Sequence, residues 1–129
     1  MATLNVSLTL SSTDVSSNPL SMTVTDALTV GAPQAGLSKI ASNVNGGADV
    51  TLHTATANPT YFFIKHTGFQ SDGSTSTTNK LEVKLGSNDT LRLKTGEFAF
   101  LPVVTGSVVK VVSNDTQTIL VEYAYFSAA

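Results

Sequence analysis

The chain has 129 residues, nine acidic against seven basic, a formal charge of −2, and neither cysteine nor tryptophan. That length fits one domain able to bury a core without covalent staples. The composition excludes a disulfide framework, a thiolate metal site and a thiol nucleophile. With 12% charged residues it gives no electrostatic basis for binding nucleic acid or an anionic membrane.

Hydrophobic residues make up 41% of the chain, too many for a disordered polymer. The polar remainder is mostly Ser and Thr, which suits exposed strand faces because Thr is a good β-former. The opening MATLNVSLTLSS has no basic stretch and no long apolar run. It does not read as a secretory signal, so the chain is expected to be made and folded in a cytoplasm. Asn-X-Ser/Thr triplets at Asn5, Asn88 and Asn114 then read as chance matches in an Asn/Thr-rich chain.

Residues 3–10 alternate, with Leu4, Val6, Leu8 and Leu10 against Thr3, Asn5, Ser7 and Thr9. Period two is β-strand spacing, because successive side chains point to opposite sides of the pleat. This segment is a strand with one buried face, or an arm that finds its sheet on a neighbouring subunit. Residues 11–19 form a polar connector. Leu20, Met22 and Val24 alternate again, Asp26 interrupts, and Leu28 and Val30 resume.

The GAPQAG run at 31–36 predicts a loop. Residues 37–44 fit a helical turn or a short strand equally well. Asn45-Gly46-Gly47 is a turn signal, since Asn and Gly tolerate positive φ. Val50 and Leu52 begin a strand closed by Asn58-Pro59. TYFFIK at 60–65 is apolar on both faces and predicts a central strand. GFQSDGSTSTTN at 68–79 is small, polar and aperiodic, and predicts an exposed, mobile loop.

From Lys80 the alternation is strict: Leu81, Val83 and Leu85 inward, Lys80, Glu82 and Lys84 outward. The segment 83–90 matches 109–116 at six of eight positions; a good Ser-Asn-Asp-Thr turn used twice accounts for it. At the end of the chain, Ile119, Val121, Tyr123 and Tyr125 alternate with Leu120, Glu122, Ala124 and Phe126. The whole predicts an all-β fold, an antiparallel two-sheet β-sandwich of about eight strands with jelly-roll-like winding. Residues 1–19 would be an N-terminal strand, or arm, and connector; residues 20–129 would form a single sandwich domain.

No catalytic constellation emerges. His53 and His66 are the two histidines, and both read as surface or strand-end residues rather than metal ligands. The Gly…Pro…Gly cadence of GEFAFLPVVTG resembles that of a cupin strand pair, but no histidine follows His66 to complete a cupin metal set. The six Asp fall mostly in predicted turns, where Asp caps backbone. Glu97, next to Phe98, is the one carboxylate in an aromatic setting and has no visible partner. No nucleophile elbow or phosphate loop is present. No residue is therefore assigned to catalysis, cofactor or metal, no cofactor is expected, and the chain reads as non-enzymatic. The aromatics Tyr61, Phe62, Phe63, Phe98, Phe100, Tyr123, Tyr125 and Phe126 must divide between core and outer face. Those pointing outward would make an apolar surface that favours association between subunits.

The run LRLKTGEFAFLPV at 91–103, a Val-rich strand, an Asn-Asp-Thr turn and the closing VEYAYF resemble small structural proteins of tailed-bacteriophage virions. The phrase LSMTVTDALTV at 20–30 is similar in style. The resemblance covers about half of the chain and carries no site residues. It implies a β-sandwich building block of the virion, assembled in the host cytoplasm. The first expectation is a capsid decoration (cement) protein that binds the major capsid protein and its own copies, with a trimer favoured and an N-terminal arm reaching a neighbour. A neck, tail or fibre-base component is the alternative. Rivals of another class are a carbohydrate-binding β-sandwich, disfavoured by the lack of tryptophan, and a degenerate hydrolase or cupin.

Overall fold

The structure, a computed structural model, describes residues 1–32 and 36–129. Of the expected loop at 31–36, residues 33–35 lie outside the described residues and Gly36 already belongs to a strand. The described chain is all β, with ten strands that pair antiparallel throughout. In order they are β1 (Ala2–Ser12), β2 (Leu20–Val30), β3 (Gly36–Val44), β4 (Val50–Thr54) and β5 (Thr60–His66), followed by β6 (Leu81–Leu85), β7 (Asn88–Leu93), β8 (Phe98–Val103), β9 (Val108–Ser113) and β10 (Ile119–Ser127). The segment 37–44, open between turn and strand in the sequence, is a strand.

Eight of these strands form two four-stranded sheets, β3-β10-β5-β8 and β4-β9-β6-β7, and the other two form a separate ribbon. The two sheets share one core. Val44, Phe62, Ile64, Ile119 and Val121 from the first meet Leu81, Val83, Val109 and Val111 from the second. Each such side chain leaves water on folding, worth roughly 1.5–3 kcal/mol for a Val, Leu, Ile or Phe. The strand pairing is nested: β3 with β10, β4 with β9, β5 with β8, β6 with β7. The chain thus lays down four strands and returns along them in reverse order.

Alternation decides what faces the core. In β5, Thr60, Phe62, Ile64 and His66 are fully buried while Tyr61, Phe63 and Lys65 are half-buried on the outside. TYFFIK is an interior strand, as its two-faced apolarity requires. In β10, Ile119 and Val121 are fully buried, Tyr123 and Tyr125 pack against the core, and Glu122, Ala124 and Phe126 point away. Pro102 lies in β8, an edge strand of its sheet. There its missing N–H deprives no neighbour of a ladder bond.

β1 and β2 pair along their full length, from Ala2↔Val30 to Ser12↔Leu20. Residues 13–19 are thus the turn of a hairpin, and β2 joins β1 rather than either large sheet. The ribbon is fixed at its base. Val30 bridges to Ala128, the Gly31 amide donates to the Ser127 carbonyl at 2.8 Å, and the Ala129 amide donates to the Thr29 carbonyl at 3.3 Å.

The 68–79 segment, expected as an exposed, mobile loop, is exposed over residues 71–76 and is bonded to the body on either side of them. The Leu120 amide donates to the Phe69 carbonyl at 2.8 Å, and the Ser71 amide donates to Thr118 Oγ1 at 3.0 Å. Thr77 is buried, and its hydroxyl donates to Gln117 at 2.9 Å. Asp72 caps the segment from within, accepting from the Ser74 and Thr75 amides and the Thr75 hydroxyl. These bonds hold its carboxyl down at about pKa 2, the Thr75 side chain being the largest cause.

The two similar segments, 83–90 and 109–116, are not two copies of one turn. The first puts Asn88, Asp89 and Thr90 inside β7, whereas the second puts Asn114, Asp115 and Thr116 in the β9–β10 connection. Their strand halves instead lie side by side, with Val83↔Val111, Lys84↔Lys110 and Leu85↔Val109 as antiparallel partners.

Candidate functional site

The outer faces of the two sheets differ in kind. The β4-β9-β6-β7 face carries ion pairs. Lys84 Nζ lies 3.1 Å from Asp49 Oδ1 and 3.7 Å from Asp89 Oδ1, and Arg92 pairs with Glu82. The hydrogen bond that Lys84 donates to Asp49 raises the Lys84 pKa. Exposed pairs of this kind are screened by water and add little to stability. They mark a face that is content in water.

The outer face of β3-β10-β5-β8 is aromatic. Register places Phe126, Tyr61 and Pro102 in one cross-strand row and Ala124, Phe63 and Phe100 in the next. A third row holds Ile40, Glu122, Lys65 and Phe98. Tyr61 and Phe100 stack, with ring centroids 6.0 Å apart and 4° between planes, and Phe63 meets Phe98 at 6.3 Å. Such contacts add about 0.5–1.5 kcal/mol beyond area burial. Outward-pointing aromatics, as the alternation requires, therefore form one continuous surface.

The ribbon stands over this surface. Its apolar row (Leu4, Val6 and Leu8 on β1, Val24 and Leu28 on β2) faces Tyr61, Phe63, Phe100 and Phe126 across an open cleft of about 900 Å³. Of the residues lining it, Asn5, Ser7, Asp26 and Tyr61 carry polar side-chain atoms, and the rest are apolar. The cleft can hold apolar groups; it offers few partners for a polyhydroxylated ligand.

Neither histidine lies in the cleft. His53 in β4 stacks on Tyr125, centroids 3.7 Å apart and 7° between planes. Burial and then the charge of Lys39 lower its pKa. His66 ends β5 as expected, but it is fully buried and not at the surface. Its Nδ1 accepts from the Gly68 amide at 3.0 Å, so the proton sits on Nε2, which is 2.8 Å from the Asn79 carbonyl it donates to. Both nitrogens are thus used in holding the 68–79 segment. Glu97 accepts from the Lys94 amide at 2.6 Å and serves as a turn cap. Among the described residues no group of three or more His, Cys, Asp or Glu side chains could hold a metal ion.

Sequence reasoning expected an outward aromatic surface but missed its cover. The clue was the alternation of β1 and, broken only at Asp26, of β2, which fits a two-stranded ribbon as well as two sandwich strands. The chain matches no family model, no curated protein and no solved structure.

Proposed function

We propose that this chain is a non-enzymatic structural protein of a tailed-phage virion, a capsid decoration (cement) protein that binds the capsid and its own copies through sandwich surfaces. The observation that carries the reading is the contrast between the sheets. One outer face carries ion pairs, while the other is aromatic and only partly roofed by the chain's own ribbon. A surface of that kind favours burial against protein. The reading takes the sandwich as a jelly roll. Its support is the nested pairing of eight strands in two sheets, the winding of two interlocked Greek keys that capsid and lectin domains use. Fold alone does not give function, so the weight rests on the faces and on the resemblance of residues 91–103 and 121–126 to small virion proteins.

The partners under this reading are the major capsid protein and other copies of the chain, in a closed symmetric oligomer with a trimer favoured. The experiment is quantitative mass spectrometry of purified particles from cells that carry the gene. Lattice-scale copy number relative to the major capsid protein is expected. A single ring's worth of copies would move the protein to the neck or tail, and absence from the particles would overturn the reading.

A further inference from the structure

Asn45 and Gly46 lie in the connection between β3 and β4, and theirs is the one Asn-Gly step in the sequence. Both residues are exposed. The fold requires the glycine, because a Cβ at residue 46 would collide with the Asp115 carbonyl. The Asn45 side chain curls over the backbone that follows it. Its Oδ1 accepts from the Gly47 amide at 2.7 Å, and its Nδ2 donates to the Asn43 carbonyl at 3.3 Å. The Gly46 amide donates to nothing among the described residues.

We propose that Asn45 is a site of spontaneous covalent modification, in which the Gly46 nitrogen closes on the Asn45 side chain. Hydroxide takes the proton of the Gly46 amide, and the nitrogen's electron pair forms a bond to Asn45 Cγ. The carbonyl π pair moves onto Oδ1, where the Gly47 N–H is already aimed at the charge that develops. Collapse of this intermediate breaks the Cγ–Nδ2 bond. The departing nitrogen takes a proton from water, leaves as ammonia and regenerates hydroxide. Water then opens the five-membered succinimide. Attack at Cγ gives aspartate; attack at the main-chain carbonyl carbon gives isoaspartate, whose backbone runs through the former side chain.

The other seven asparagines lack this combination. Asn18 and Asn58 precede proline, which has no N–H to lose. Asn5, Asn43 and Asn88 precede Val6, Val44 and Asp89, which sit in paired strands. After Asn79, the Lys80 amide donates to Asn114 Oδ1 at 2.7 Å; after Asn114, the Asp115 amide donates to Ser113 Oγ at 3.4 Å. The position also gives the change a consequence. The Asn45 carbonyl accepts from the Ser113 amide at 3.0 Å, tying the end of β3 to the end of β9. Isoaspartate lengthens the backbone there by a methylene, and either product adds a carboxylate to a turn packed against Asp115.

The test incubates purified full-length protein at neutral and at mildly alkaline pH, with a urea-unfolded sample beside it. Peptide mass spectrometry follows every asparagine, and an isoaspartate-specific methyltransferase is the second probe. In the folded protein, Asn45 is expected to show the mass gain of amide-to-acid conversion several-fold faster than any other asparagine, and faster still in alkali. Methyl groups should be accepted at that position. Asn45→Gln, whose longer side chain closes a six-membered ring poorly, should accept none. Conversion at Asn45 no faster than elsewhere overturns the proposal. So does conversion seen only in urea, since the folded turn would then protect the bond, or methyl acceptance that survives Asn45→Gln.

Discussion

Phe62 and Phe63 are adjacent in sequence and lie on opposite sides of one sheet: Phe62 is fully enclosed between the two sheets, and Phe63 faces the cleft under the ribbon. Phe62→Ala is expected to cost about 3–5 kcal/mol, the range for emptying a core aromatic site. Phe63→Ala is expected to cost about 1–2 kcal/mol, because part of that ring remains in water. Urea denaturation of both variants checks the ordering. Equal losses would mean that the strand faces are wrongly assigned.

His66→Leu removes the acceptor of the Gly68 amide and the donor to the Asn79 carbonyl at a fully buried position. Two orphaned backbone groups are expected to cost about 2–4 kcal/mol in all. The Gly68 amide should also exchange with solvent much faster, since that bond anchors the 68–79 segment. Unchanged exchange at Gly68 would show that the ring does not hold the loop.

His53 has a folded-state pKa below its ordinary 6.5, from burial and then from Lys39. The unfolded chain therefore binds this proton more readily than the folded one. Stability from this group is complete above pH 6.5 and declines as pH falls below that value toward the folded pKa. His53→Phe keeps a ring for Tyr125 to stack on and should flatten the slope of stability against pH in that window. A slope that survives the substitution assigns it to another group.

A Cβ on Gly46 would run into the backbone carbonyl of Asp115, which cannot rotate away as a side-chain end could. Gly46→Ala is expected to cost about 1–3 kcal/mol, as overpacking does, and to loosen the β9–β10 connection. Gly73 has φ +75° with open space around its Cβ position. Gly73→Ala should then cost only the roughly 1–2 kcal/mol of left-handed strain. Thermal unfolding of the pair separates collision from strain.

Much of the architecture was legible because period two survives in the core strands. Leu81 and Val83 are buried, as their inward placement by alternation requires, and Ile119 and Val121 share the buried phase of β10; in TYFFIK, apolar on both faces, alternation left open that Phe62 and Ile64 are the inward pair. What alternation cannot say is which sheet a strand joins. β1 and β2 each announce one dry face, and nothing local reveals that those faces belong to a ribbon standing over aromatic rings. The ties of the 68–79 segment to the body were missed for a different reason. They are single side-chain and backbone hydrogen bonds to residues far along the chain, such as Thr77 to Gln117, and such bonds leave no periodic trace. His66 was misplaced likewise, since only its two partners make burial of an imidazole tolerable.

The nested pairing has a temporal consequence. Val44 cannot meet Ile119, nor can β5 acquire its neighbour on that side, until β10 has left the ribosome. Nascent β3 must therefore wait for β10 before it can pair. With so many distant partners, refolding is expected on the slow, millisecond-to-second scale of all-β domains. A chain stopped short of Ile119 should remain protease-sensitive however long it is left.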